Sequence, residues 1–112
     1  MKKIVSLTTL VFTLLTGAAL ATEDHHAQAV EHANAAVSHG KAGHAPVLVE
    51  HAEESVKHAK HCASVAKGEA KTHADAAVNS LNEAITHGKM GHADVATKAA
   101  EEAVQHLNAA KP

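Results

Sequence analysis

The stretch His39-Gly40-Lys41-Ala42-Gly43-His44, HGKAGH, returns 48 residues later as His87-Gly88-Lys89-Met90-Gly91-His92, HGKMGH. Two glycines and a lysine between alanine-rich segments read as the end of one helix and the turn into the next. A turn that occurs twice points to a duplication. Sliding the sequence by 48 lays residues 23–64 over 71–112, and 17 of the 42 aligned pairs are identical. They include Val30 with Val78, Asn34 with Asn82, and Glu53-Glu54 with Glu101-Glu102. Each half is then one helical hairpin, spanning about 23–67 and 69–112.

Working outward from the turns, Val30 and Val37 recur at a spacing of seven, as do Val49 with Val56 and Val78 with Ile85. Ala33, Ala52 and Leu81 follow three residues behind, which is an a/d heptad pattern. Alanine fills much of the rest and favours helix because it loses no side-chain entropy. The pattern predicts helices over Glu23–His39, Pro46–Lys67, Glu69–His87 and Asp94–Ala110. Pro46 and Asp94 suit first helical turns, Gly40 and Gly88 suit left-handed C-terminal caps, and Gly68 marks the third break. Short connections make neighbouring helices antiparallel. The expected fold is all-α: an up-down-up-down antiparallel four-helix bundle made of two duplicated helical hairpins. Its core is thin, since only Leu48, Leu81, Leu107 and Ile85 exceed valine in size.

The chain has 112 residues, room for one small domain. It opens with Met1-Lys2-Lys3, continues through an apolar run from Ile4 to about Leu15, and reaches Gly17-Ala18-Ala19-Leu20-Ala21. That is the pattern of a secretory signal peptide over residues 1–21, cleaved after Ala21, leaving one histidine-rich domain over 22–112. The run is too short and too rich in threonine to span a membrane, so no stable membrane association is expected after cleavage. The single aromatic residue, Phe12, leaves with the leader. Acidic and basic residues nearly balance, 12 against 10, so no strong field recruits nucleic acid or anionic lipid. A lone cysteine, Cys62, excludes an intramolecular disulfide and a c-type haem attachment.

What remains is histidine. All 12 lie after the leader, and histidine is both the group that titrates near neutrality and the commonest metal ligand. With Val30 and Val37 at position a, His25, His32 and His39 fall at position c; on the second helix His44, His51 and His58 do the same. The duplicate keeps His73 and His87, then His92 and His106, with Ser80 and Ala99 at the middle places. Position c lies about 200° from a, which directs these side chains to water or an open groove.

Residues seven apart on a helix are about 10.5 Å apart along its axis, too far for two imidazoles to grip one ion. Antiparallel geometry supplies the partner, because residues equidistant from a turn stand side by side. Their numbers then have a constant sum: 83 for His39–His44, His32–His51 and His25–His58, and 179 for His87–His92 and His73–His106. The histidines bracketing each turn are the first rung of a ladder. Carboxylates stand at i, i+4 spacing on one face: Glu54 before His58, Glu69 before His73, Glu83 before His87, and Glu102 before His106. Such a glutamate completes a coordination sphere or orients the imidazole through its other nitrogen. His26 beside His25, and His61 three residues after His58, add donors at the far end of the first ladder. Imidazole and oxygen suit copper(II), nickel(II) and zinc(II), and the Irving–Williams order favours copper(II).

The leader followed by heptads such as Val49-Glu50-His51-Ala52-Glu53-Glu54-Ser55 and Val56-Lys57-His58-Ala59-Lys60, together with HGKAGH and HGKMGH, resembles the small metal-binding protein family of periplasmic copper binders. The resemblance covers the whole mature chain. It implies a monomeric helical bundle that binds several divalent ions and serves copper handling by buffering, transport or detoxification. Enzymatic readings lack their residues: a di-iron bundle needs inward Glu-x-x-His pairs, and the one such spacing is Glu23-Asp24-His25-His26 at a helix end. The competing reading is a periplasmic pH or stress sensor, or a chaperone-like helical protein, switched by protonation of the histidine stripes.

Overall fold

A computed structural model of the chain describes residues 24–111, so the expected leader lies outside the described residues. Four helices follow one another: α1 (His25–Lys41), α2 (Ala45–Val65), α3 (Gly68–Lys89) and α4 (Ala93–Ala109). Each boundary falls within two residues of the sequence expectation. α1 packs on α2 and α3 on α4; α2 also lies against α3, α1 against α4, and α2 meets α4 across the core. This is an up-down-up-down four-helix bundle. No described helix is long and apolar enough to cross a membrane.

The helix ends have local causes. Asp24 caps α1, its Oδ1 accepting from the Ala27 N–H at 2.9 Å, and Pro46 sits in the first turn of α2, where its missing donor is not needed. At the far end of α1, Gly43 N–H donates to the Gly40 carbonyl and His44 N–H to the His39 carbonyl, both at 2.9 Å. That double bond pattern is a Schellman motif with Gly43 as its left-handed residue, at φ +83°. Gly91 repeats it at φ +80°, with His92 N–H donating to the His87 carbonyl at 2.9 Å. The left-handed caps are therefore Gly43 and Gly91, not Gly40 and Gly88.

Gly40 and Gly88 lie inside their helices and are buried. A Cβ on Gly40 would overlap the Thr97 hydroxyl and stand 2.6 Å from Leu48 Cδ1; one on Gly88 would stand 2.5 Å from Val49 Cγ2. These glycines let the helices touch. The rest of the buried α1 stripe, Ala29, Ala33 and Ala36, is equally small, so the closest approach runs along alanine and glycine. Val30, Val37, Val78, Ile85 and Val104 are only partly buried at its margin. The sequence reading placed Val30 and Val37 at the centre of the seam, whereas the observed seam is rotated toward their neighbours. On α2 the valines stay inside, since Val49 and Val56 are buried core residues. Leu48, Leu81 and Leu107 are the fully buried large side chains, and Ser55 joins them by donating its hydroxyl to the Ala29 carbonyl at 2.7 Å.

The duplication is visible in the contacts between hairpins. Lys41 pairs with Glu101 at 3.3 Å, and Lys89 with Glu53 at 3.5 Å. The two bridges are equivalent under the 48-residue offset, and both are exposed, so they register the hairpins more than they stabilise them.

Candidate metal centre

Rotating the seam moves the histidines relative to it. In the frame where Val30 is at 0°, the buried α1 residues lie between about 240° and 300°, so position c at about 200° flanks the buried arc instead of opposing it. His25, His32, His39, His51, His58, His73, His87 and His106 are accordingly half-buried, and only His44, His61 and His92 are exposed. The stripes of α1 and α2 line one groove and those of α3 and α4 line another.

The first rung follows from the turn. The Schellman bond ties the backbone of His39 to that of His44, so both side chains leave the same end of the groove, with ring centroids 6.2 Å apart. The matching separation for His87 and His92 is 6.1 Å. Higher rungs close further: Nδ1 to Nδ1 distances are 3.2 Å for His32–His51, 2.8 Å for His25–His58 and 3.3 Å for His73–His106. All five pairs that equidistance from the turns selects are side by side. In the neutral protein one ring of such a pair donates its Nδ1–H to the other ring's Nδ1.

These spacings can be compared with coordination geometry. Two nitrogens bound to one ion at about 2.0–2.1 Å stand about 2.9 Å apart at a right angle and about 3.3 Å apart at the tetrahedral angle. The closed rungs span that interval. An ion bound to both nitrogens lies off the line between them, so it takes the place of the shared proton only as both rings turn to aim their lone pairs at it. His87 Nδ1 adds a buried nitrogen that has no hydrogen-bond partner, and a buried polar atom left unpaired is costly unless something else satisfies it.

The carboxylates contribute less than their spacing suggests. Among the described residues, no three histidine, cysteine, aspartate or glutamate side chains converge on one ion position. Glu54 is exposed and accepts from Lys57 Nζ at 3.0 Å. That bond and the Lys57 charge hold its carboxyl below the usual range, with weaker help from His32 and His58, which places it in the field of the ladder without being its ligand. Glu102 accepts from the Ser80 hydroxyl at 3.5 Å, beside the missing middle rung. Glu69 and Glu83 point into solvent as exposed residues. Each closed rung therefore brings two imidazole nitrogens together without a third donor side chain among the described residues.

The far end of the first ladder is different again. His61 is exposed and lies against His25 at 3.9 Å between centroids, the ring planes tilted by 40°. His26 leaves the ladder: its Nε2–H donates to the Leu107 carbonyl at 2.7 Å, tying α1 to the end of α4. Cys62 is half-buried against Ala63, Ala74 and Ala110, where burial, then the Asp24 charge, pushes its thiol pKa up. His25, His26, His61 and Cys62 line an open cleft of about 620 Å³ at this end of the bundle.

Equidistance from the turn did not reveal the diagonals. His39 stacks on His51 at 5.3 Å and His32 on His58 at 6.2 Å, in each case with ring planes 4° from parallel. Side chains tilt toward the N-terminus of their own helix, so in an antiparallel pair each ring leans toward the next rung of its partner. The signal was present as a second constant sum, 90.

Compared with curated proteins, the chain finds no match. The family model described as "Small metal-binding protein" matches residues 1–110, virtually the whole chain. The chain belongs to the small metal-binding protein family.

Proposed function

We propose that the chain is a periplasmic carrier of several divalent ions, chiefly copper(II), which it holds on the histidine rungs and gives up readily for buffering, transport or detoxification. The observation that carries this reading is the Nδ1 to Nδ1 spacing of 2.8–3.3 Å in His25–His58, His32–His51 and His73–His106. It accommodates both square-planar and tetrahedral ions, so selectivity comes from intrinsic affinity, which is highest for copper(II) and lower for nickel(II) and zinc(II). Two protein ligands per ion mean moderate affinity and fast surrender. The export reading is supported by the Lys2-Lys3 leader with its apolar run and the Ala19-Leu20-Ala21 end. A carrier needs no catalytic pocket, and the ladder is a chain of exchangeable sites, not a centre that activates a substrate.

Calorimetric titration with copper(II), nickel(II) and zinc(II) tests the reading. His32→Ala and His51→Ala, made singly and together, should each remove the same copper site, and the double variant should lose no more than either single one. Two independent losses would show that the rung is not shared. Thermal melts separate this function from a protonation switch: copper(II) at neutral pH should raise the midpoint, because the paired geometry exists only in the folded bundle.

A further inference from the structure

Along the α1–α2 groove the rungs and diagonals join into one unbroken column. From the turn it runs His44 to His39 at 6.2 Å, His39 to His51 at 5.3 Å, and His51 to His32 at 5.5 Å between centroids. It continues from His32 to His58 at 6.2 Å, His58 to His25 at 5.0 Å, and His25 to His61 at 3.9 Å. Each interior ring thus has two partners, one on its own rung and one on the next. The α3–α4 groove has no such continuity. Ser80 and Ala99 replace its middle rung and are both buried, leaving His87–His92 and His73–His106 as separate pairs some 21 Å apart along the axis, at about 1.5 Å per residue.

We infer that the α1–α2 groove is a track along which a bound copper(II) ion migrates between the turn and the cleft, while the α3–α4 groove holds ions at fixed stations. This rests on the rungs binding copper(II), as proposed above, and adds a path of travel to it. An ion that has turned His39 and His51 out of their parallel stack exchanges His39 for His32 while keeping His51; a like turn of His32 and His58 then lets it exchange His51 for His58 while keeping His32. Every step forms one metal–nitrogen bond and breaks another, with neutral imidazoles before and after, so no oxidant, reductant or proton is consumed. The ion is never released to water. Its two termini differ: His44 is an exposed residue at the turn, whereas His25 and His61 open on the cleft at the opposite end.

The test compares two rates in the full mature chain with the second-hairpin ligands removed (His73, His87, His92 and His106 to alanine), so that only the column binds. With sub-stoichiometric copper(II), exchange of the ion between the turn end and the cleft end is read from paramagnetic relaxation of the His44 and His61 ring protons. Release is read from transfer to excess chelator. Migration predicts end-to-end exchange at least about tenfold faster than release, the factor that about 1.4 kcal/mol of retained bonding gives. The cut is H32S/H51A, which installs the residues that the second hairpin carries naturally at Ser80 and Ala99; His51→Ala alone is a milder version. Either should slow end-to-end exchange to the release rate while both ends still bind. Exchange no faster than release in the uncut column, or fast exchange surviving the cut, overturns the track. Absence of binding in the uncut column would instead defeat the carrier reading itself.

Discussion

Replacing Gly40 by alanine sets two effects against each other whose balance the structure decides. In an ordinary helix interior the change stabilises by about 1 kcal/mol, because glycine loses more backbone freedom on folding and alanine is the better helix former. Here the new methyl would overlap the Thr97 hydroxyl and stand 2.6 Å from Leu48 Cδ1. Neither neighbour can retreat easily. Leu48 is fully buried, and the Thr97 hydroxyl is committed to the Ala93 carbonyl at 2.6 Å. Overpacking of this kind costs about 1–3 kcal/mol, and disturbing the threonine bond about 1 more. Set against the propensity gain, the net is a loss of about 1–3 kcal/mol. A domain of this length then melts roughly 5–20 °C lower. Far-UV circular dichroism melts of Gly40→Ala, with Gly88→Ala beside it, supply the assay. Gly88 should lose less, since the only atom under 3 Å from the new methyl is one Val49 methyl at 2.5 Å, with Leu48 Cδ2 next at 3.3 Å. The displacement also reaches the ladder, because α1 can only move outward, which widens the His39–His44 rung and weakens copper(II) there first. If Gly40→Ala melts at or above the parent, the helices are not packed at glycine contact and the rotated seam is wrong.

Other perturbations have independent readouts. Gly43→Ala meets open space but must hold φ +83°, so it should lose about 1–2 kcal/mol from backbone strain alone and loosen the His39–His44 rung. His26→Ala should lower the melting point by breaking the bond to the Leu107 carbonyl, yet leave the number of bound copper ions in calorimetry unchanged. Lys57→Ala should raise the Glu54 pKa toward the usual carboxylate range, seen by NMR titration. The sign is that of any carboxylate favoured when ionised: the folded state gains above the ordinary pKa and loses the gain as pH falls through the depressed one. Glu54 is fully exposed, so the melting point should barely respond. The Cys62 thiol, its pKa raised by burial, should alkylate more slowly in the folded protein than in urea at mildly alkaline pH; equal rates would place it in water.

The fold was legible because both of its determinants are local. Alanine-rich heptads set the helices, and HGKAGH with HGKMGH set the turns. The rungs were legible for the same reason, since equidistance from a short turn fixes which residues of an antiparallel pair face each other. What the sequence could not show depends on packing distance. Taking valine as the core residue is reasonable where helices pack at ordinary separation, but Ala29, Ala33, Ala36 and Gly40 bring α1 close enough that its own valines move to the rim. Of the two settings the sequence allows for the histidine stripe, water or an open groove, that rotation selects the groove wall. The i, i+4 glutamates do not converge with a rung on one position, for a related reason. Shared face along a helix does not bring Glu54 or Glu102 over the groove, and each finds a nearer partner in Lys57 or Ser80.

The two hairpins show how the same scaffold yields two kinds of groove. Where histidine occupies position c on both helices, the bulky rings stay half-buried and reachable from water, as at His32 and His51. Where Ser80 and Ala99 stand at the equivalent places, both small residues are buried, with Ser80 6 % and Ala99 7 % exposed. A missing rung is therefore more than two absent ligands. It is a plug of packed protein between the stations on either side of it, which is why substituting the serine–alanine pair into the first hairpin should interrupt traffic there without unfolding the bundle. The reciprocal change, Ser80→His with Ala99→His, has to seat two rings where small residues are buried. It should add a copper(II) site and a continuous column to the second groove while lowering the melting point of the metal-free protein. A stabilised apo protein with no added site would show that the serine–alanine pair is not what interrupts the second groove.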